Sequence, residues 1–350
     1  MTRQVESLLV PAAQRLQPTS VYLAHLDADP SLVRLASNES AEPPSPRVAA
    51  ALAETYAHAH RYPSTTPPLR RELAERLGLD VGQVAVGAGS TELIDAMLRA
   101  FVRAGDEVVL PSPSWPVYKA RLTALEAAIV EVPLHTDVLR FAYDIDSFAS
   151  AVTPRTKLVV ACTPNNPTGN ALNVEELRGL AEGAPMLLVD AAYAEFDPDV
   201  DASPLVNEFE HVIVTRTFSK AHSLAGLRVG YALGDPEVLD YIARFLVPGS
   251  SVGVAALAAA SAALADESYT RDHVRSVIDE RARVTAALRA HGLRAFDSRG
   301  NFVALDPGPE TPSDLAARIL DGGVLVRVLG DLVRITIGSA EQNDLLISAL

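Results

Sequence analysis

The stretch Thr215–Gly230 reads T-R-T-F-S-K-A-H-S-L-A-G-L-R-V-G and follows the apolar run His211–Val214. An apolar run without polar alternation is what a strand buried on both faces looks like. The polar residues then stand where that strand ends. Ser219 immediately precedes Lys220, and Arg228 lies eight residues after it. A lysine amine condenses with an aldehyde. Hydroxyls and an arginine hold a phosphate. Taken alone, the same residues read equally well as a solvated surface loop.

Working outward, the pattern repeats. Val84–Val86, Glu107–Leu110, Ala128–Val132, Lys157–Cys162, Met186–Val189 and Arg228–Leu233 read as further strands. Helices are expected between them, over Arg47–His58, Leu69–Leu77, Glu92–Phe101 and Val174–Ala181, with another running through Ala127. Strands alternating with helices predict an α/β fold with a largely parallel sheet covered on both sides. Such sheets bind ligands at the carboxyl ends of their strands. Gly89-Ser90-Thr91, Trp115, Asn166, Asp190 and Lys220 all fall there. Beyond about residue 245 the layout becomes α+β. Helices are expected over Val252–Ala265, Ser268–His291 and Ser313–Leu320, with strands over Asn301–Leu305, Val324–Val328 and Leu332–Ile337. The division expected is an N-terminal arm over 1–34, a large domain over 35–245 and a smaller one over 246–350. Gln4–Leu9 and Val21–Leu26 read as short helices.

Composition narrows the function. The chain has 350 residues, 44 acidic against 30 basic, for a formal net charge of −14. Nucleic acid and anionic membranes reward the opposite sign. Cys162 is the only cysteine, so no intrachain disulfide forms, which fits a reducing compartment. The N-terminus does not read as a signal peptide, and the longest apolar run, Val252–Ala265, is too short to span a bilayer. The expectation is a cytoplasmic protein. The eight histidines are scattered and suggest no metal site.

Each motif has two readings. Gly87–Glu92, G-A-G-S-T-E, offers backbone N–H groups to a phosphate at a helix start, or is a tight turn capped by Ser90 or Thr91. It lacks the Lys-Ser/Thr ending of a Walker loop and the third glycine of a dinucleotide loop. Asn165–Gly169, N-N-P-T-G, is good turn chemistry, or presents the Asn166 amide to a ligand. Asp190 is an acid at the end of a buried strand. It is a helix cap, or the partner of a cation such as a protonated pyridine. Tyr193 is core or ligand, and Trp115 is core or stacks on a planar ring. Arg334 is an edge-strand surface residue or a carboxylate clamp. Pyridoxal phosphate carries an aldehyde and a phosphate on one pyridine ring, and the Lys220 stretch suggests it as cofactor.

Together and in this order, the motifs resemble the fold-type-I pyridoxal-phosphate aminotransferases of class I/II, and within them the histidinol-phosphate aminotransferases. The resemblance is carried by Ser37-Asn38-Glu39, Arg61-Tyr62-Pro63, Gly89-Ser90-Thr91-Glu92, Asn165–Gly169, Asp190 with Tyr193, and T-F-S-K-A-H-S-L-A-G-L-R-V-G-Y. It implies a seven-stranded-type sheet flanked by helices, with a smaller α+β domain. Lys220 would form the imine with the cofactor and carry the proton between substrate Cα and cofactor C4′. Asp190 would hold the pyridine nitrogen protonated. Asn166 and Tyr193 would bond the ring hydroxyl, and Trp115 would stack on the ring. Ser90, Thr91, Ser219 and Arg228 would cup the phosphate. Tyr62 would reach the phosphate of the other subunit in a homodimer. Arg334 would clamp the substrate carboxylate, with Asn38 and Arg327 also in the substrate site.

Four departures bear on the substrate. Asp190-Ala191-Ala192-Tyr193 stands where the family has D-E-A-Y. Asn38–Ala41 reads N-E-S-A where it has N-E-N-P. Pro18-Thr19 stands where histidinol-phosphate enzymes carry Pro-Tyr, and the segment between Arg327 and Arg334 is short. The implied reaction is transfer of an amino group between an L-amino acid, or an amino-alcohol phosphate, and a 2-oxo acid. The alternatives are a paralogue acting on another amino acid, aromatic or of specialised metabolism, and a decarboxylase of the threonine-phosphate type.

Overall fold

The computed structural model describes residues 9–16, 29–64, 67–247 and 251–350. Pro18-Thr19 and the expected helix over Val21–Leu26 lie outside them, as does nearly all of Gln4–Leu9.

Seven strands form the main sheet: β1 (Val84–Gly87), β2 (Glu107–Ser112), β3 (Ala128–Pro133), β4 (Thr156–Cys162), β5 (Leu187–Asp190), β6 (Val212–Thr217) and β7 (Gly230–Leu233). Their order is β1-β7-β6-β5-β4-β2-β3. Only β7 runs against its neighbours; the rest point one way. Successive residues face opposite sides, and both sides are sealed. In β5, Leu187 and Val189 join the core that includes Leu69, Leu177 and Ala260. Leu188 joins the opposite core, with Leu93, Met97 and Tyr118. That explains the unbroken apolar runs. Each fully buried leucine contributes about 1.5–3 kcal/mol relative to exposure, and β5, buried throughout, carries no polar residue until Asp190 at its end.

The second sheet is antiparallel, with β8 (Arg294–Ala295), β9 (Phe302–Asp306), β10 (Arg327–Leu329) and β11 (Leu332–Thr336) in the order β8-β9-β11-β10. The long helix Glu267–Ala290 and the helix Pro312–Asp321 pack on it through Val284, Leu288, Leu315 and Ile319. The helix Val254–Ala265 packs instead in the core of the main sheet.

Two strand expectations change. The run Val324–Val328 is not one strand. Val324–Leu325 pairs in parallel with Val33–Arg34, and Arg327–Leu329 pairs with β11. Val324 and Val326 are buried, whereas Leu325 and Arg327–Leu329 are half-buried, so the run reads as one apolar stretch although its two pieces serve different sheets. The strand expected over Arg228–Leu233 begins at Gly230. Arg228 sits in the left-handed region, with φ of 53°, which no strand residue adopts. No helix among the described residues is long and apolar enough to cross a membrane. No metal-holding group of three or more His, Cys, Asp or Glu occurs among them.

Candidate active site

The parallel register sets Cys162, Asp190 and Thr215 side by side at the carboxyl edge of the main sheet. A cavity of about 590 Å³ opens there. Ser90, Thr91, Trp115, Asn166, Asp190, Tyr193, Ser219, Lys220, Arg228, Arg327 and Arg334 all line it. Two of the expected site residues do not. Asn38 is buried behind Tyr193, and Tyr62 stands out from the surface, 90% exposed.

Asp190 is buried at the end of β5. Its Oδ2 accepts from the Tyr118 hydroxyl at 2.5 Å and its Oδ1 from Thr215 Oγ1 at 3.3 Å. Burial pushes its pKa up, and the bonds from Tyr118, Thr215 and the Ala192 backbone oppose the shift. A buried carboxylate without a cation is costly by several kcal/mol. This one keeps a face toward the cavity, where a pyridinium would supply the missing charge. Tyr118 was not foreseen as a site residue. It lies three residues after Trp115, which precedes the helix Pro116–Ala124 as its N-cap, and the two rings meet edge-on at 5.2 Å. That spacing was the available signal.

The helix Ser90–Phe101 begins after Gly89, which offers no side-chain cap. Neither Ser90 nor Thr91 caps it, so the first-turn N–H groups remain open to an anion. Glu92 instead accepts from the Ala88 N–H at 2.6 Å. Gly89 has φ of 77°, and a Cβ there would lie 2.7 Å from Arg228 Nη2. Opposite, a Cβ on Gly230 would lie 2.3 Å from the Ser90 nitrogen. The glycines let turn, strand and guanidinium close into one cradle. Arg228 Nη1 donates to Ser219 Oγ at 3.3 Å and to the Ala225 carbonyl at 3.1 Å.

Lys220 Nζ donates to the Ser37 carbonyl at 3.1 Å and lies 5.9 Å from the Tyr193 ring centroid. Burial pushes its pKa down to about 7; Arg334 and Arg228 add to the shift, and Glu39 opposes it. Glu39, a second residue not foreseen in a site role, is the carboxylate that lines the cavity beside the amine. The Tyr193 hydroxyl accepts from Asn38 Nδ2 at 3.0 Å and from Asn166 Nδ2 at 3.3 Å. Burial pushes its pKa up. Asn166 Oδ1 in turn accepts from Arg334 Nη1 at 2.7 Å, and Arg334 Nη2 reaches the Ala36 carbonyl at 2.5 Å. Arg334 is buried, not an edge-strand surface residue. Arg327 stands directly across from it in the β10–β11 register.

An open helix start beside an arginine, a buried acid and a low-pKa lysine around one cavity fit a phosphorylated pyridine aldehyde. Comparison with known proteins agrees. The family model for aminotransferases of class I and II matches residues 30–350. An aromatic amino acid aminotransferase of Mycobacteroides abscessus is 40% identical over 325 residues, covering 90% of this chain and 91% of its own. Histidinol-phosphate aminotransferase 2 of Caulobacter vibrioides is 39% identical over 326 residues, covering 91% and 85%. Among solved structures, histidinol-phosphate aminotransferase from Sinorhizobium meliloti in complex with pyridoxal-5'-phosphate superposes with a TM-score of 0.85 at 28% identity, covering 98% of this chain and 96% of that one. Sequence, fold and cavity thus agree, and the chain belongs to the class I and II aminotransferases, enzymes of the fold-type-I kind that depend on pyridoxal phosphate.

Proposed function

We propose that Lys220 is the catalytic amine of this transaminase and that the donor is an L-amino acid with a ring side chain. The observation that carries the reading is the single cavity on which Lys220, Asp190, Asn166 and Arg334 converge. Pyridoxal phosphate, when bound, supplies an electrophilic aldehyde and a ring able to take up the electrons of the Cα–H bond. Ser90, Thr91, Ser219 and Arg228 hold its phosphate. Asp190 keeps a proton on the pyridine nitrogen. Asn166 and Tyr193 bond the ring hydroxyl, and Trp115 covers one face. A lysine with a pKa of about 7 is substantially neutral near neutral pH. Its Nζ can therefore take the proton from the substrate Cα and return it elsewhere.

Arg334 is held by Asn166 and Ala36 in position to take the substrate carboxylate in bidentate fashion. Trp115, Val117 and Leu329 give the cavity apolar walls, and Arg327 stands beside them. A guanidinium stacks on a ring or binds a phosphate. The ring reading is supported by relatives named for aromatic amino acids. Those named for histidinol phosphate make that amino-alcohol phosphate the second reading, through Arg327. The working unit is a homodimer in the cytoplasm, with Tyr62 completing the phosphate cup of its partner.

Two measurements test this. Borohydride reduction of the holoenzyme should fix the cofactor on the peptide containing Lys220, and Lys220→Ala should abolish both the label and turnover. Label elsewhere would remove Lys220 from its role. Single-turnover amino transfer from L-phenylalanine, L-tyrosine, L-glutamate and L-histidinol phosphate then ranks the donors. Fast transfer from the aromatic pair supports the ring reading. A rate confined to histidinol phosphate replaces it with the second.

A further inference from the structure

A second cavity, of about 670 Å³, shares no lining residue with the first. Its walls come from both structural layers. Arg140 belongs to the short hairpin of strands His135–Thr136 and Phe141–Ala142, and Asn170 follows the N-N-P-T-G turn. Arg281 and Arg289 project from the long helix Glu267–Ala290, and Asp297 and Arg299 follow β8. Four guanidiniums and one carboxylate line the space, in a chain whose net charge is −14.

Three of the arginines have carboxylate partners. Asp297 accepts from Arg289 Nη2 at 2.7 Å and from Arg140 Nε at 3.3 Å. Arg299 Nη1 lies 3.3 Å from Asp197 Oδ1 and 3.1 Å from Asp199 Oδ2. Arg281 differs. Its Nη1 donates to the carbonyls of Gly300 at 2.7 Å and Phe196 at 3.4 Å. Among the described residues it forms no ion pair, its Nε and Nη2 meet no protein acceptor, and neither is sealed away from the cavity. Burial pushes its pKa down to about 10; Arg299 adds to the shift, and Asp197 opposes it. A half-buried guanidinium with spare, parallel donors is the usual form of a site for a planar or tetrahedral oxyanion. The volume lies within the range of small-molecule sites.

We propose that this cavity is a binding site for a phosphate group, free or as a small monoester, with Arg281 as anchor and Arg140 as rim contact. Arg140 lies on the hairpin whose Leu139 carbonyl accepts from the Asp297 N–H at 2.8 Å and whose Phe141 packs on Phe296, and Arg281 lies on the long helix. A bound anion therefore adds a bridge between the hairpin and that helix. It also stabilises the fold by mass action, since the unfolded chain does not assemble the site.

The test is calorimetric titration of inorganic phosphate into holoenzyme at fixed ionic strength, with sodium chloride as control and glycerol 2-phosphate as the monoester probe. The first cavity also contains arginines, so Arg327→Gln is titrated in parallel. Phosphate binding should survive Arg327→Gln, weaken about tenfold or more in Arg281→Gln, and weaken about threefold in Arg140→Gln. Whichever of the two probes binds more tightly identifies the source. Binding lost in Arg327→Gln but kept in Arg281→Gln overturns the site, as does a response that chloride reproduces. If Arg281→Gln does not fold, the exposed Arg140→Gln decides, and unchanged affinity there also overturns the proposal.

Discussion

At the scale of single residues, the site is a set of buried charges whose partners are incomplete until a ligand arrives. Lys220 shows this most directly. Its pKa of about 7 in the folded chain, against the ordinary 10.5, means that between those values the unfolded chain holds one more proton than the folded one. Stability of the cofactor-free protein therefore rises with pH across that window, and below it the full penalty of a buried ammonium remains. Cofactor-free Lys220→Met should melt above cofactor-free wild type at about pH 6, by on the order of a few degrees, with the gap closing toward about pH 10. Melting curves of both proteins against pH check this, and equal melting temperatures at the acid end would contradict it. Lys220, Asp190 and Asn166 were legible in the sequence because each is a polar residue at the end of an apolar strand. Tyr118 was not. A tyrosine on the buried face of a helix looks the same whether its hydroxyl meets a core carbonyl or, as here, the carboxylate of Asp190.

At the scale of elements, the phosphate cradle depends on how closely β7 approaches the turn before the helix Ser90–Phe101. The antiparallel insertion of β7 brings Gly230 level with Gly87 and Thr217. Its missing side chain leaves room for the Ser90 nitrogen, which a Cβ would meet at 2.3 Å, and for the Gly89 carbonyl carbon, at 2.5 Å. Both obstacles are backbone, so the turn itself must move. Gly230→Ala should cost about 1–3 kcal/mol of stability and weaken cofactor binding by about tenfold or more, because the displaced N–H groups are the ones proposed to meet the phosphate. Gly183→Ala, at the end of the helix Val174–Gly183 with nothing within 4 Å of its Cβ position, should leave cofactor affinity unchanged and cost no stability. Fluorescence titration of the cofactor with a thermal melt separates the two effects, and a Gly230→Ala protein with wild-type affinity would show that the turn tolerates the shift. The strand-and-helix order was readable because both faces of the main sheet are apolar. The antiparallel sense of β7 was not, since a buried strand has the same pattern in either direction. The division of Val324–Val328 between two sheets was hidden because an unbroken run of strand-forming residues does not show where one pairing ends and the next begins.

At the scale of the whole molecule, the single chain leaves one expected site residue stranded. Tyr62 is 90% exposed and Tyr56 87% exposed, the two most exposed large apolar side chains among the described residues. Neither residue serves the chain's own cavity. In the proposed homodimer Tyr62 donates to the partner's cofactor phosphate, and sedimentation should give twice the 37.2 kDa of the chain. Dimerisation alone does not establish the crossed arrangement; complementation does. Tyr62→Phe should weaken cofactor binding by about ten- to a hundredfold, the worth of one hydrogen bond to a charged group. On the proposed role of Lys220, Lys220→Ala should abolish turnover in its own site. If Tyr62 acts across the interface, a hybrid dimer of the two variants holds one doubly damaged site and one site wholly wild-type. In the second, the Tyr62→Phe subunit supplies Lys220 and the Lys220→Ala subunit supplies Tyr62. Mixing the two proteins under exchange conditions should therefore restore a tight-binding, active population that neither variant shows alone. If Tyr62 acts within its own chain, every site that keeps Lys220 in the hybrid also lacks the Tyr62 hydroxyl, and no tight-binding population forms.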